Sequence, residues 1–398
     1  MDEDLALEIE SQTPTVGPFQ RDYFDWPEKE LARRFVEQVS AGRLKQNETF
    51  VDLKIKQRKS VTKRVHDVYK DTVNLPSLLK MLPGLPPDPT PVDYLRSVRN
   101  FMSDNKGSDL FHWWKNMRDG VKTPLFGSAD ILNACNLKCV HCYWWTTREP
   151  TAGELSPEQW RTVVQNSFKK LRVANVTVVG GEPMLRKNVV QVFSEELKNR
   201  MSVVTNGTHK LVPINGLYYV SIDGTEETHN HIRGPNTHAK IKQNVKNFVE
   251  TGGRVNLNMT LNTLNYKTVM DVIHEWEGIA GRMSVQFHTP FIDDDPLWLP
   301  FGEERNKTID SIIEYGEKEN KRFVINPKEH LELMRGNWGY KCPNWVIFAL
   351  DYRGNIKMPC CMGSANENSL QPKCDKCGIA PYSGVLAGLF PHEKALAR

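Results

Sequence analysis

The run Ser128-Ala129-Asp130-Ile131-Leu132-Asn133-Ala134-Cys135-Asn136-Leu137-Lys138-Cys139-Val140-His141-Cys142-Tyr143 places three cysteines within eight residues. Thiols this close do not form a disulfide framework, but one loop of them can hold a metal cluster. Three thiolates on a four-iron cluster leave one iron open, and an open metal position is where chemistry takes place. Before the loop, Ser128 to Asn133 reads as a short strand. The next apolar run is Val176-Thr177-Val178-Val179, β-branched and therefore strand-like, and it ends in Gly180-Gly181-Glu182-Pro183. Between the two, Ser156 to Leu171 has a helical pattern, with Pro157 and Glu158 in its first turn. Strand, loop, helix, strand is a βαβ unit.

The CX3CX2C loop after one strand and the Gly-Gly-Glu-Pro after the next resemble the radical S-adenosylmethionine (radical SAM) enzymes. The resemblance implies that Cys135, Cys139 and Cys142 ligate a 4Fe-4S cluster whose open iron is chelated by the amino and carboxylate groups of S-adenosyl-L-methionine (SAM). It implies that Gly180, Gly181, Glu182 and Pro183 line the SAM amino group. It also implies that one electron from the reduced cluster cleaves SAM to methionine and a 5′-deoxyadenosyl radical, the protein supplying position and exclusion of water. His141 stands where such enzymes usually place an aromatic residue against the adenine. A zinc site with His141 as fourth ligand is the competing reading; it strains the tight loop and leaves the glycine pair unexplained.

Later strand patterns continue the alternation: Met201 to Thr205, Leu217 to Ser221, Val255 to Leu261 and Met283 to Thr289. Six strands separated by helices suggest an α/β fold, a partial (β/α)6 TIM-like barrel, with its site at the C-terminal strand ends. By the resemblance, Ser221 is the candidate for the SAM ribose. Asp223 reads as a helix cap or a site residue. Arg233 suits the SAM carboxylate or a solvated surface. Asn258, Thr260, Gln286 and His288 are further candidate contacts at strand ends.

A second cysteine group lies near the C-terminus: Cys342, Cys360, Cys374 and Cys377, spaced CX17C and then CX2C, with Cys361 spare and able to exchange with Cys360. Between the first two, Trp345 to Met358 reads as a hairpin around Arg353-Gly354-Asn355, which would bring Cys342 and Cys360 together. The layout resembles the small twitch domain that holds one auxiliary 4Fe-4S cluster; the longer SPASM version needs more cysteines than remain. A zinc ribbon with the same four ligands is the alternative.

The chain has 398 residues, enough for two or three domains: a helical N-terminal extension over 1–122, the radical SAM partial barrel over 123–330 and a twitch-like domain over 331–398. Net charge is +4, which gives no nucleic-acid signal. The eight cysteines fall into two metal-like groups. This pattern, with an acidic N-terminus and no apolar run of roughly twenty residues, points to a reducing cytoplasm. The extension carries a basic run from Lys54 to Arg64, a proline-rich linker from Pro83 to Pro91, and Leu110, Trp113, Trp114 and Met117 at helical spacing. That helix reads as packed on the barrel, with a peripheral membrane contact as the other reading.

The resemblance implies an enzyme with a flavodoxin- or ferredoxin-type electron donor. The C-terminal cysteines and basic lead-in are similar to enzymes that attach adenosine to hopene lipids, which favours an apolar small molecule or lipid substrate. A peptide maturase that oxidises or crosslinks side chains is the alternative, and a non-catalytic iron–sulfur sensor a third reading. Sequence leaves oligomeric state open.

Overall fold

The computed structural model describes residues 123–147, 153–320, 323–326, 328–336, 346–358, 360–366 and 369–378. The expected N-terminal extension, Cys342 and Trp345 lie outside them.

Seven strands form one open, wholly parallel sheet: β1 Phe126–Asp130, β2 Asn175–Val179, β3 Met201–Thr205, β4 Leu217–Ser221, β5 Val255–Leu261, β6 Arg282–Phe287 and β7 Ile347–Leu350. Their order is β6-β5-β4-β3-β2-β1-β7. The first six stand in the order of the chain, as successive βα units do, and all seven C-terminal ends open on one edge. The helices among the described residues are α1 Tyr143–Thr147, α2 Pro157–Asn166, α3 Lys187–Leu197, α4 Glu226–Arg233, α5 Thr237–Glu250, α6 Val269–Trp276, α7 Glu303–Lys318 and α8 Lys328–Leu333.

Val176, Val178, Val203, Val220, Leu257 and Met259 are fully buried, as a sheet with covered faces requires. The helix α2 starts where the sequence signals it. Ser156 Oγ accepts from the Gln159 amide at 3.2 Å, and Gln159 Oε1 accepts from the Ser156 amide at 2.7 Å. It stops at Asn166, short of the expected Leu171; Arg172 then turns the chain at a φ of 54° toward β2.

Two strand assignments differ from expectation. The first strand ends at Asp130 rather than Asn133: Ile131 still donates to Val179 O at 2.9 Å, and beyond it the chain turns off to carry the cysteine loop. A seventh strand joins the sheet: Ile347 pairs with Phe126 and Leu350 with Ala129, in parallel register. The expected hairpin exists beyond it. Asp351 donates its amide to Asn355 O at 2.8 Å, and Lys357 donates to Ala349 O at 2.9 Å. One arm of that hairpin is thus the edge strand of the main sheet. No described helix is long and apolar enough to cross a membrane.

Candidate functional site

The three clustered cysteines stand on the loop that leaves β1 at the open edge. Two glycines fix that loop to β2. Gly180 has a φ of 137°, which side chains rarely tolerate, and a Cβ on Gly181 would lie 1.9 Å from Ala134 O. The bare backbone lets the chains touch: Gly181 N donates to Leu132 O at 3.2 Å and Glu182 N to Ala134 O at 2.9 Å. Arg186 adds a clamp, donating to Ile131 O at 2.7 Å and Leu155 O at 2.8 Å.

Cys135, Cys139 and Cys142 are half-buried and reduced. Burial raises all three thiol pKa values, Cys139 to about 11, and the charge of Cys142 adds to the rise at the other two. Thiols that disfavour one another's ionisation suit a multiply charged cation, which takes them as thiolates. Among the described residues no three His, Cys, Asp or Glu side chains are grouped to hold a single metal ion. His141 does not turn toward the thiols. Its Nε2 lies 3.4 Å from Asp223 Oδ2, and burial lowers its pKa to about 4. With His141 paired to Asp223, the loop offers three thiols without His141 as a fourth ligand, which fits a 4Fe-4S cluster with one open iron better than zinc held with His141.

Glu182 is 1 % exposed, and its carboxylate accepts three hydrogen bonds. Met184 N (2.9 Å) and Thr205 Oγ1 (2.6 Å) reach Oε1, and Asn206 N (2.7 Å) reaches Oε2. The side chain expected to receive a SAM amino group thus first ties the end of β2 to the end of β3. Asn206 continues the network, donating to Asn136 Oδ1 at 2.9 Å and reaching Cys135 Sγ at 4.0 Å. Glu182→Gln turns one acceptor oxygen into a donor facing a backbone N–H. It is expected to cost about 1–3 kcal/mol of stability in chemical denaturation, read as a lower midpoint at unchanged slope.

Asp223, fully buried after β4, is not a helix cap. The N-cap of α4 is Thr225, whose side chain makes no capping hydrogen bond. Asp223 instead takes Arg233 Nε on Oδ2 and the Thr260 amide on Oδ1 at 2.9 Å. Burial opposes its ionisation, yet Arg233 and His141 hold its carboxyl below the usual range. Arg233 is not solvated: its side chain is 10 % exposed, and Nη1 points to Cys139 Sγ at 3.9 Å. Ser221 is buried and Asn258 half-buried, side by side across β4 and β5. Gln286 Nε2 donates to Thr260 Oγ1 at 3.1 Å, and His288 Nε2 lies 2.9 Å from Asp295 Oδ2.

The described C-terminal cysteines, Cys360, Cys361, Cys374 and Cys377, come to the same edge. A hydrogen bond with Cys361, burial and the charges of Cys361 and Cys377 push the Cys360 thiol well up, so these three are neighbours. Cys377 sits on the end of β6: Thr289 Oγ1 donates to its Sγ at 3.7 Å, and Gly378 N donates back to Thr289 Oγ1 at 2.9 Å.

Between the two cysteine groups stands Tyr143, to which sequence reasoning gave no role. Its ring stacks on Phe291 with centroids 5.9 Å apart, beneath the Lys357 ammonium at 5.8 Å. Burial, Asp130 and then Cys361, Cys142 and Cys360 keep its phenol protonated. Lys357 pairs with Asp130 at 2.6 Å, both buried. The adjacency of Tyr143 to Cys142 was the one signal that could have found this group.

The model of the radical SAM superfamily matches residues 130–275. Over 223 residues the chain is 32 % identical to the sporulation killing factor maturation protein SkfB of Bacillus subtilis (strain 168), covering 50 % of this chain and 54 % of that one. It is 31 % identical over 161 residues to the Fe-coproporphyrin III synthase of Methanosarcina barkeri, covering 37 % of this chain and 40 % of that one. The chain thus spans about half the length of the curated relatives it matches. Among solved structures, Streptococcus suis SuiB bound to its precursor peptide SuiA superposes with a TM-score of 0.52 at 16 % identity. That superposition covers 71 % of this chain and 67 % of SuiB, a likeness of fold. The matched residues begin at the end of β1 and include the three loop cysteines and the segment docked on them: the chain carries a radical SAM domain.

Proposed function

We propose that this chain is a radical SAM enzyme that modifies a peptide. The observation that carries the chemistry is the seating of Gly181 and Glu182 on the backbone of the cysteine loop, which brings three reduced thiols to the open end of a parallel sheet. When bound, a reduced 4Fe-4S cluster supplies the electron that cleaves SAM. Cys135, Cys139 and Cys142 would hold it. Gly180, Gly181 and Pro183 would lie along SAM, with Ser221, Asn258 and His141 around it. Glu182 and Arg233, both already engaged, would brace the loop. Cys360, Cys374 and Cys377 with Cys342 would form an auxiliary centre, and a flavodoxin- or ferredoxin-type protein would deliver electrons.

Similarity to a maturation protein of a sporulation killing factor supports a peptide substrate over the lipid favoured from sequence. Val140, Leu264 and Ile292, on the loops after β1, β5 and β6, are exposed apolar residues on the side of the sheet where the cysteine loop stands. Similarity to the coproporphyrin enzyme favours a tetrapyrrole as the second reading.

The test gives anaerobically reconstituted, reduced protein SAM and synthetic peptides encoded by short reading frames beside its gene. A peptide of changed mass, formed in step with 5′-deoxyadenosine, is expected. Turnover with tetrapyrrole or lipid fractions and none with any peptide overturns the reading.

A further inference from the structure

Arg305, in the first turn of α7, is a buried cation outside the SAM site. It is 1 % exposed. Its guanidinium lies 4.0 Å from the ring centroid of Phe287 and 4.8 Å from that of Phe301. Among the described residues neither Nε nor Nη1 has a hydrogen-bond partner. Aromatic faces offset only part of the cost of burying a cation, and among the described residues no carboxylate pairs with it. Burial lowers its pKa to about 10, and Cys377 is the one described group that acts against that fall.

Backbone geometry independently leads to the same cysteine. Phe287, the ring platform for Arg305, donates its amide to Gly378 O at 3.2 Å. A Cβ on Gly378 would stand 2.0 Å from Phe287 O, so only glycine allows this approach. The chain just after Cys377 is therefore pressed onto the strand end whose Phe287 ring faces the guanidinium. Four thiolates around zinc, or around a 4Fe-4S core, leave a net negative charge.

We propose that Arg305 is the counter-charge of an anionic metal–thiolate centre built from the C-terminal cysteines, a positioning residue that keeps the metal bound and sets its potential. The inference rests on reading those cysteines as an auxiliary centre.

The test uses full-length protein with Cys135, Cys139 and Cys142 changed to Ala, so that any metal belongs to the second centre. Iron and zinc per chain, the rate of metal loss to a chelator and, for iron, the reduction midpoint are compared with and without Arg305→Met. Metal retention is expected to fall roughly 10- to 100-fold, as for other residues that support metal ligands. Removing a positive charge also favours the oxidised cluster, so the midpoint moves to lower potential. The thermal midpoint of the metal-free protein stays level or rises, because a buried unpaired charge has gone; a merely structural arginine would lower it. Should Arg305→Met fail to fold, Arg305→Lys and Arg305→Gln carry the comparison, the lysine variant holding metal better. Metal in the parent with unchanged retention and midpoint in Arg305→Met, or equal retention in the lysine and glutamine variants, overturns the role of Arg305 alone. No iron or zinc in the parent overturns the auxiliary centre, and the inference with it.

Discussion

Replacing any one of Cys135, Cys139 or Cys142 with alanine is expected to reduce SAM cleavage to the enzyme-free background. Two remaining thiolates cannot hold a cluster in register, and the open iron exists only if three protein ligands leave it. Each variant should lose about four irons per chain. Folding should survive, because the loop is anchored by the backbone hydrogen bonds to Leu132 O and Ala134 O, and Glu182 is held by Met184 N, Thr205 Oγ1 and Asn206 N; none of these bonds uses a thiol group. Cys374→Ala with Cys377→Ala should remove a separate set of irons and leave the first set in place. Measured 5′-deoxyadenosine from Cys139→Ala would contradict the assignment, and so would full iron content in all three variants.

Gly181→Ala is expected to damage the site from outside it. The added methyl would sit 1.9 Å from Ala134 O, 2.3 Å from Ala134 C and 3.0 Å from Cys135 N. All three are backbone atoms, so no rotamer relieves the contact. The chains must part, breaking the hydrogen bonds to Leu132 O and Ala134 O and displacing Cys135. The loss is estimated at about 3 kcal/mol, which lowers the melting midpoint by roughly 6–12 °C, and SAM binding falls with it. Gly316→Ala is the matched control. Gly316 lies inside α7 with nothing within 4 Å of its added Cβ, so alanine there is expected to stabilise by roughly 0.5–1 kcal/mol. If Gly181→Ala melts like the parent and binds SAM normally, the glycine contact is not what seats the loop.

The sheet was legible because its signals are local. A β-branched run closed by Gly180 and Gly181, a capping box at Ser156 and alternating polar residues along Val255 to Leu261 each reflect contacts within a few residues. The strand from Ile347 to Leu350 was harder. Its four residues are all buried, so it shows no alternation, and a run of that kind reads equally well as a hairpin arm. Its partner, β1, lies some two hundred residues earlier in the chain, and no local pattern records that pairing.

The site divides in the same way. Sequence by itself determined the three-cysteine loop, the glycine pair that meets it and the edge of the sheet on which both stand, because spacing and backbone freedom are properties of the chain. Only the tertiary structure decided which charges are spent internally. Of the readings left open for each, it made Asp223 the partner of Arg233 rather than a helix cap, and set Arg233 at the flank of Cys139 rather than in solvent. It also tied Glu182 between two strands, paired Lys357 with Asp130 and left Arg305 buried beside Cys377. Burial and electrostatic partnership arise from neighbours distant in sequence, and a charged residue carries no mark of whether its partner will be water, a carboxylate or a thiolate.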